Sequence, residues 1–386
     1  MMSGLNEADM IAAAEKTTGL SDWGPDQSFR VGLGKLVTAC NEMNAPKEFF
    51  EQARLRLTGI LSTKLHLIDD AKKYPEVLAE KIEKPVVVVG LPRTGTTITY
   101  DMLSLDPTSR TPRDWEFAMP WPAPEQATWD TDSRIAQLNA VFAHWLEASP
   151  ELENIQHFDA TNASECNFVF THHFASTQFT AEWGVPSYEK WLLGAPPAGR
   201  YASHKRILQQ LQWKGPRGRW TIKSPEHLFD LDGLLTAYPD ASLIWTHRDP
   251  VQAFSSLASM LFQFRQAMKA DPDKKRAGRS VFETWSLGVE KGMTSRDNNS
   301  KVESAIIDIP HTDVIKDKVD VIKRIYQRFD LPFSAEYEAR LKGEAAASVS
   351  GRLGKHKHNP EDYGIRAEEI HEALPKYYAR FGHLFK

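Results

Sequence analysis

The sequence predicts an α/β fold in which a central parallel sheet is flanked by helices. The first observation is the run of four valines at residues 86–89, which is bounded by Pro85 and Gly90. A short, continuous run of β-branched apolar residues is typical of a strand that is buried on both faces of a parallel sheet. The second observation is that a glycine-containing loop, residues 90–97, and then a helical pattern follow this strand. The third is the same order of strand, loop and helix at residues 241–257.

Residues 1–80 precede the first strand and carry helical patterns. Pro46 stands where proline suits a helix start. We predict three helices in this region: residues 10–16, 29–44 and 46–71. We therefore divide the chain into an N-terminal helical extension, residues 1–80, and an α/β domain, residues 81–386. The role of the extension stays open between packing over the sheet and mediating oligomerisation.

A helical insertion on the substrate side is predicted at about residues 125–215. Its helical patterns cover residues 135–148, 165–177, 186–193 and 201–213. The insertion is rich in aromatic residues. A stripe of rings at helical spacing belongs more often to a core than to a pocket. If some of these rings line a pocket, the acceptor that binds there is apolar.

The remaining elements alternate between strands and helices, as a parallel sheet requires. Three further strands are predicted at residues 220–223, 242–246 and 305–309. Helices are predicted at residues 98–105, 280–298, 319–329 and 361–381. Two segments are predicted as irregular loops: residues 113–124, because of the prolines at 112, 120, 122 and 124, and the charged residues 269–279.

Composition and charge exclude several classes of protein. The net charge of −4 and the pI near 6.4 argue against a general surface for nucleic acids or anionic membranes, so any anion site must be local. Cys40 and Cys166 lie far apart without metal-ligand spacing, and we expect both to be reduced. No run approaches the ~18 apolar residues of a membrane span, and the first residues lack a secretory signal pattern. We expect a soluble, cytoplasmic protein.

The loop at residues 90–97, GLPRTGTT, has the spacing of a phosphate-binding P-loop. Four residues separate Gly90 from Gly95, and two hydroxyl residues follow. Such a loop directs backbone N–H groups and the positive end of a helix dipole at one point. A nucleotide triphosphatase would carry a lysine where this chain has Thr96, and Arg93 is the only cation in the loop. The loop suits a phosphate but not phosphoryl transfer from ATP. The alternative is a turn whose glycines serve tight geometry alone.

A second motif follows the strand at residues 242–246. Arg248 follows this strand, and Ser256 lies eight residues further on, inside the next helix. The pair, together with the GLPRTGTT loop, resembles the motifs of sulfotransferases that use 3′-phosphoadenosine-5′-phosphosulfate (PAPS). The loop is most similar to the bacterial branch with Pro-Arg-Thr-Gly-Thr-Thr, which is related to tyrosylprotein sulfotransferases. The resemblance covers roughly residues 84–386 and implies PAPS as donor and 3′-phosphoadenosine 5′-phosphate as product.

The resemblance also implies which residues bind the donor. The 5′-phosphosulfate would be bound by the loop residues Arg93, Thr94, Gly95, Thr96 and Thr97. The 3′-phosphate would be bound by Arg248 and Ser256. Relatives close a basic C-terminal loop over this phosphate, for which we name Arg352 and Lys355. Where relatives often carry a tyrosine that contacts adenine, this chain has His311, so that contact is not carried over.

Glu116 is the first candidate for the general base. It lies between aromatic residues, and desolvation there would raise its pKa, as activation of an alcohol requires. In tyrosylprotein sulfotransferases, which this region resembles, the base is a glutamate beyond the loop arginine, and Glu116 fits with a small insertion. Asp114 is a competitor, and Glu165 or a histidine is held in reserve. The other reading of Glu116 is an ordinary surface carboxylate.

Lys223 ends the predicted strand at residues 220–223, on the same rim as Arg93 and Arg248 if the strands are parallel. It resembles the family lysine that contacts oxygens of the transferred group. An ammonium there stabilises the charge that develops on the leaving phosphate. The other reading is a solvated loop lysine. The sulfuryl group carries less charge than a γ-phosphoryl group, so we expect no metal.

The sequence thus predicts a PAPS-dependent sulfotransferase with catalytic residues Glu116, Lys223 and Arg93. Its acceptor would be a small, hydrophobic molecule with a hydroxyl group. A P-loop small-molecule kinase and a catalytically inactive nucleotide-binding homologue are the alternatives. A homo-oligomer is left open.

Overall fold

The computed structural model describes residues 4–154, 157–194, 197–270, 272–347 and 359–385. Four helices precede the sheet: α1 (Glu7–Thr18), α2 (Phe29–Asn41), α3 (Lys47–Lys73) and α4 (Glu76–Ala79). The Asn6 side chain caps α1 by accepting a hydrogen bond from Asp9 N. The predicted N-terminal helical extension is confirmed, with helix ends shifted by a few residues.

Five strands form one parallel sheet. They are β1 (Val86–Gly90), β2 (Ser109–Arg110), β3 (Arg219–Lys223), β4 (Ser242–His247) and β5 (Ile306–Pro310). Their order across the sheet is β2-β3-β1-β4-β5, and every pairing is parallel. The valines of β1 are buried on both faces, as their uniform apolar character predicts. Because the strands are parallel, the residues that follow β1, β3, β4 and β5 lie at the same edge.

Helices cover both faces of the sheet. In chain order they are α5 (Thr96–Ser104), α6 (Asp114–Ala118), α7 (Ser133–Ala148), α8 (Cys166–Thr171), α9 (Thr177–Trp183), α10 (Pro186–Gly194), α11 (Arg200–Lys214), α12 (Leu231–Ala237), α13 (Pro250–Ala267), α14 (Lys274–Asn298), α15 (Ser300–Ser304), α16 (His311–Lys316), α17 (Lys318–Arg328), α18 (Ala335–Ala347), α19 (Ala367–Ala373) and α20 (Pro375–Phe381). Short 3₁₀ turns occupy Gln126–Thr131, Pro150–Asn154, Pro225–Phe229, Pro360–Tyr363 and Gly382–Phe385. The predicted α/β class is confirmed.

Some predicted boundaries are wrong, for local reasons. The single helix expected at residues 165–177 is divided into α8 and α9, because Phe174 adopts a left-handed conformation between them. The loop expected at residues 269–279 ends early, because the Asp273 side chain caps α14 at Arg276 N. The last helix is divided into α19 and α20, and Pro375 begins the second. The proline-containing segment at 113–124 holds the short helix α6, since its prolines flank but do not interrupt residues 114–118.

The N-terminal helices share a hydrophobic core with the insertion. Phe29 and Leu33 of α2 pack in one buried cluster with Phe174 and Tyr188. A Cβ at Gly32 would lie 2.3 Å from the Phe174 carbonyl oxygen, so α2 approaches this segment closely. Most aromatic rings of the insertion are buried in this and neighbouring clusters, which supports the core interpretation. None of the helices within the described ranges is long and apolar enough to cross a membrane.

Candidate active site

The loop at residues 90–97 leaves β1 and is held against the end of β4. Gly90 has φ +128°, and a Cβ there would lie 2.7 Å from the Thr246 carbonyl oxygen, so the position requires glycine. The buried Thr94 hydroxyl donates to the Leu91 carbonyl oxygen over 2.7 Å. Thr94 Oγ1 also lies 2.7 Å from Thr246 Oγ1. These contacts fix the loop relative to both strands.

The loop leads directly into α5. Gly95 adopts the left-handed conformation that starts this helix, with φ +92°. A Cβ at Gly95 would lie 3.1 Å from Cδ2 of His311, the first residue after β5. Thr96 is buried in the first turn of α5, and Thr97 beside it is exposed. The helix therefore directs its positive end toward the same strand edge.

Two arginines from different motifs meet beside this loop. Arg93 Nε donates to Ser256 Oγ over 3.1 Å. Arg248 donates from Nη1 to the Arg93 carbonyl oxygen over 3.0 Å, and two other nitrogens of its guanidinium contact the Gln252 side-chain oxygen. Neither Arg93 nor Arg248 forms an ion pair with a carboxylate in the described parts of the chain. Desolvation and the neighbouring Arg248 lower the pKa of Arg93. The result is a local excess of positive charge, which an anion would neutralise.

Lys223 lies at the end of β3 with only 2% of its side chain exposed. Its Nζ atom donates to Thr97 Oγ1 over 3.1 Å and lies 2.8 Å from Glu165 Oε1. It also lies 5.2 Å from the centre of the Tyr100 ring. Lys223 thus connects the loop helix to Glu165, the residue that precedes α8. The sequence placed Lys223 on the same rim as Arg93, and this arrangement agrees with that expectation.

Asp114 is the first residue of α6 and lies near Lys223 and Glu165. Its backbone N–H donates to the Asn162 carbonyl oxygen over 3.0 Å, which holds α6 against the segment before α8. Burial raises the pKa of Asp114 to about 7; the Glu165 charge adds to this rise, whereas Ser164 and Lys223 oppose it. Asp114 therefore has the pKa of a carboxylate that can exchange a proton near neutral pH.

Asp101 is a further carboxylate near Lys223 that the sequence analysis did not consider. The Asp101 side chain reaches solvent, but the protein atoms around it desolvate the carboxylate and raise its pKa to about 6, and Lys223 opposes the rise. Asp101 lies four residues after Thr97 on α5, so both residues share one face of the helix. This spacing is the sequence signal that could have identified Asp101 as a residue of the site.

The choice of Glu116 as the base does not fit the environment of that residue. Glu116 is 0% exposed. Both of its carboxylate oxygens contact the Arg110 guanidinium, and one accepts a hydrogen bond from Arg113 N over 2.9 Å. The last contact forms a capping box at the start of α6. Both oxygens of Glu116 are thus engaged inside the fold, whereas Asp114 is the carboxylate of α6 that the charges of Lys223 and Glu165 reach.

Several other candidate residues are accounted for. Arg352 and Lys355 lie outside the described residues. His172 and His173 each contact a backbone carbonyl oxygen, of Phe117 and of Ala198, and burial lowers both pKa values to about 4. Both are therefore neutral structural groups. Burial and Arg248 lower the pKa of His311 to about 4, so His311 is neutral beside the loop.

A parallel sheet with a glycine loop and unpaired arginines at its strand ends is typical of a transferase that handles an anionic group. A model of the sulfotransferase family matches residues 85–335, and the chain belongs to this family.

Two solved structures are similar over almost the whole chain. Sulfotransferase STF1 from Mycobacterium tuberculosis H37Rv is 27% identical with a TM-score of 0.81, and the match covers 97% of this chain and 100% of that chain. Sulfotransferase STF9 from Mycobacterium avium is 27% identical with a TM-score of 0.85, covering 97% and 96%. The N-terminal helices are therefore part of the shared structure. No curated protein matches the sequence.

Proposed function

We propose that this protein transfers the sulfuryl group of PAPS to a hydroxyl group of a small molecule and releases 3′-phosphoadenosine 5′-phosphate. The observation that carries the proposal is the contact of Arg93 with both Ser256 and Arg248. It joins two anion-binding motifs that are distant in sequence, as a ligand with two separate phosphates requires. Family membership supports the sulfuryl group as the transferred unit.

The described residues fit such a donor. Gly90 and Gly95 have positive φ and close contacts with β4 and His311, so they let the loop turn into α5. No described side chain caps the start of α5, so its first N–H groups are available to a phosphate. We assign Arg93, Thr94, Gly95, Thr96 and Thr97 to the 5′ end of the donor. Arg248 and Ser256 are assigned to the 3′-phosphate, with Arg352 and Lys355 as additional contacts. When bound, PAPS supplies an activated sulfuryl group.

The chain's own residues supply proton transfer and charge stabilisation. The Asp114 carboxylate takes the proton of the acceptor hydroxyl as the oxygen forms its bond to sulfur. A bound donor would supply a leaving phosphate that takes the electron pair of the broken bond between sulfur and the bridging oxygen. Lys223, Arg93 and Thr97 stabilise the charge that develops there. Glu165 orients Lys223 through their 2.8 Å contact. The charges of Lys223 and Arg93 take the part that Mg²⁺ has in phosphoryl transfer, so we propose a step without metal.

The acceptor that we propose is a small hydrophobic alcohol or phenol. Phe168, which is partly buried on α8 one turn from Glu165, offers an apolar surface on this side. We further propose a cytoplasmic protein without a nucleic-acid partner, on the grounds of its cysteine usage and its net charge of −4. Assembly into a homo-oligomer remains open to a sedimentation measurement.

Calorimetric binding of 3′-phosphoadenosine 5′-phosphate, ATP and ADP tests the donor. We expect the bis-phosphorylated nucleotide to bind most tightly, and an Arg248→Ala variant to lose that preference. Arg340→Ala, which removes a surface arginine of α18, is the matched control. Tighter binding of ATP would favour a small-molecule kinase and overturn the proposal.

Transfer of radiolabelled sulfate from PAPS to a panel of alcohols, phenols, amines and glycans tests the reaction. We expect label on a hydroxyl compound. Binding of the nucleotide without transfer to any member of the panel would favour a catalytically inactive homologue.

A further inference from the structure

A buried group of three metal-ligating side chains lies behind the candidate active site. Cys166, His204 and His227 come from α8, from α11 and from the 3₁₀ turn after β3. Cys166 Sγ and one ring nitrogen of each histidine all lie within 4.8 Å of one another. All three residues are 0% exposed. Neither the family match nor the proposed reaction uses this group.

Hydrogen bonds decide which nitrogen of each ring is available. His204 Nδ1 contacts the Tyr238 hydroxyl over 2.7 Å, and His227 Nδ1 contacts the Tyr201 hydroxyl over 2.9 Å. The Nε2 atom of each ring is buried and has no hydrogen-bond partner among the residues that the structure describes. If each Nδ1 donates its proton to the tyrosine oxygen, each Nε2 presents a lone pair. Metal-binding histidines usually have the nitrogen opposite the metal held in this way.

No described residue forms a hydrogen bond with either of the two buried Nε2 atoms. A buried polar atom without a partner destabilises the folded state. The Cys166 thiol carries a single proton and can donate to only one of the two rings at a time. A divalent cation would bind both nitrogens and the sulfur at once.

We propose that Cys166, His204 and His227 form a zinc site. One thiolate and two imidazoles are ligands that zinc prefers, at about 2.3 Å for sulfur and about 2.0–2.1 Å for nitrogen. In a tetrahedron with these bond lengths the donor atoms lie roughly 3.3–3.6 Å apart, so donors that lie within 4.8 Å of one another would move closer together as the metal binds. The thiol proton is released to the solvent as sulfur binds the metal. The fourth position of the tetrahedron is left to a non-protein ligand.

The site would join the elements that carry the active-site residues. Cys166 follows Glu165, and His227 lies four residues after Lys223. Zinc at this point would therefore connect the start of α8 to the turn after β3 and to α11. Its expected role is structural, independent of the sulfuryl transfer step. The test therefore measures metal and can succeed or fail whatever the outcome for PAPS.

The full chain is expressed in medium with Zn²⁺, or with Co²⁺ in its place, because a fully buried site must fill during folding. We expect about one equivalent of zinc per chain after gel filtration in the presence of a weak chelator. The cobalt protein should show the thiolate-to-cobalt charge-transfer band of a cysteine ligand. Cys166→Ser should lose this band and most of the metal. Cys40→Ser, which removes the other buried cysteine, is the matched control and should retain both.

His204→Gln and His227→Gln test the nitrogen ligands, and each should lower the metal content at least tenfold while Cys40→Ser does not. Wild-type protein with only trace zinc, and cobalt protein without the charge-transfer band, would overturn the proposal. That result would leave a water molecule or a hydrogen-bonded Cys–His group at the site. Both of these measurements use the wild-type protein, so this outcome does not depend on whether a variant folds. Equal metal content in wild type and Cys166→Ser would overturn it as well.

Discussion

The two ends of the candidate active site differ in how their charges are balanced. At one end, Arg93 and Arg248 lie together without an ion-paired carboxylate in the described chain. At the other end, Lys223 is surrounded by carboxylates, with Glu165 at 2.8 Å and Asp114 and Asp101 nearby. The first arrangement is suited to a fixed anion that arrives with the ligand. At the second, desolvation raises the pKa of Asp114 to about 7 and that of Asp101 to about 6, which suits proton transfer near neutral pH.

A second contrast lies within the short helix α6. Asp114 and Glu116 are two residues apart, and both are buried. Glu116 is paired with Arg110, whereas Asp114 forms no ion pair with any residue that the structure describes, and burial raises its pKa to about 7. Burial alone therefore does not identify a base. What matters is whether a cation already neutralises the carboxylate.

The largest effect is expected for Asp114→Asn. Loss of a positioned general base lowers turnover by about 10² to 10⁴-fold. Binding of 3′-phosphoadenosine 5′-phosphate should be unchanged, because Asp114 lies at the lysine end of the site. Labelled-sulfate transfer measures the first quantity and calorimetry the second. Full turnover would transfer the base role to Glu165.

Glu116→Gln should act on stability. Breaking a buried ion pair by removing one partner typically costs about 3–5 kcal/mol, because Arg110 is left as a buried, unpaired charge. We expect urea unfolding to show a decrease of this order, while the folded fraction keeps its turnover. If turnover were lost at unchanged stability, Glu116 would be the base after all, and the contrast within α6 would be wrong.

Arg248→Ala tests the arginine end. Hydrogen bonds to charged groups contribute about 1.5–3 kcal/mol, so affinity for 3′-phosphoadenosine 5′-phosphate should fall roughly 10- to 150-fold. The loss should be smaller at high salt, where the phosphate is already screened. Affinity for adenosine 5′-phosphate, which lacks the 3′-phosphate, should hardly change. An equal loss of affinity for both nucleotides would show that Arg248 does not bind the 3′-phosphate.

The sequence predicted the parts of this site whose signals are local. The valine run predicted β1. The resemblance of the Arg248 and Ser256 pair to a sulfotransferase motif implied a site shared with the loop, and the structure brings both residues into contact with Arg93 or its carbonyl group. The choice between Asp114 and Glu116 depended on a tertiary contact. Arg110, in the two-residue strand β2, forms an ion pair with Glu116. No local sequence pattern predicts that ion pair. Cys166, His204 and His227 lie on three separate elements, so their spacing resembled no metal motif.

The pH dependence of kcat/KM tests the carboxylate cluster at the lysine end. Asp114 must be ionised to accept a proton, so activity should fall as the pH drops through about 7. The negative charge of Glu165 raises the pKa of Asp114, and Glu165 also balances Lys223. Glu165→Gln should therefore lower this pKa and move the acid limb to lower pH. A shift to higher pH would contradict the arrangement. Asp130→Asn on the surface is the control.

The smallest effect is expected for Ser256→Ala. The hydroxyl accepts a hydrogen bond from Arg93 Nε and, in the proposed complex, donates to the 3′-phosphate. A hydrogen bond to a charged group contributes about 1.5–3 kcal/mol, and we expect the lower end for a single bond from a neutral hydroxyl, so affinity should fall about 12-fold. Ser62→Ala on α3 should leave affinity unchanged.

Because Arg93 and Arg248 touch and Ser256 contacts Arg93, the double variant Arg248→Ala/Ser256→Ala should lose less affinity than the sum of the single losses. Strict additivity would mean that the two residues act on the ligand independently, and the arginine end would not be one binding unit.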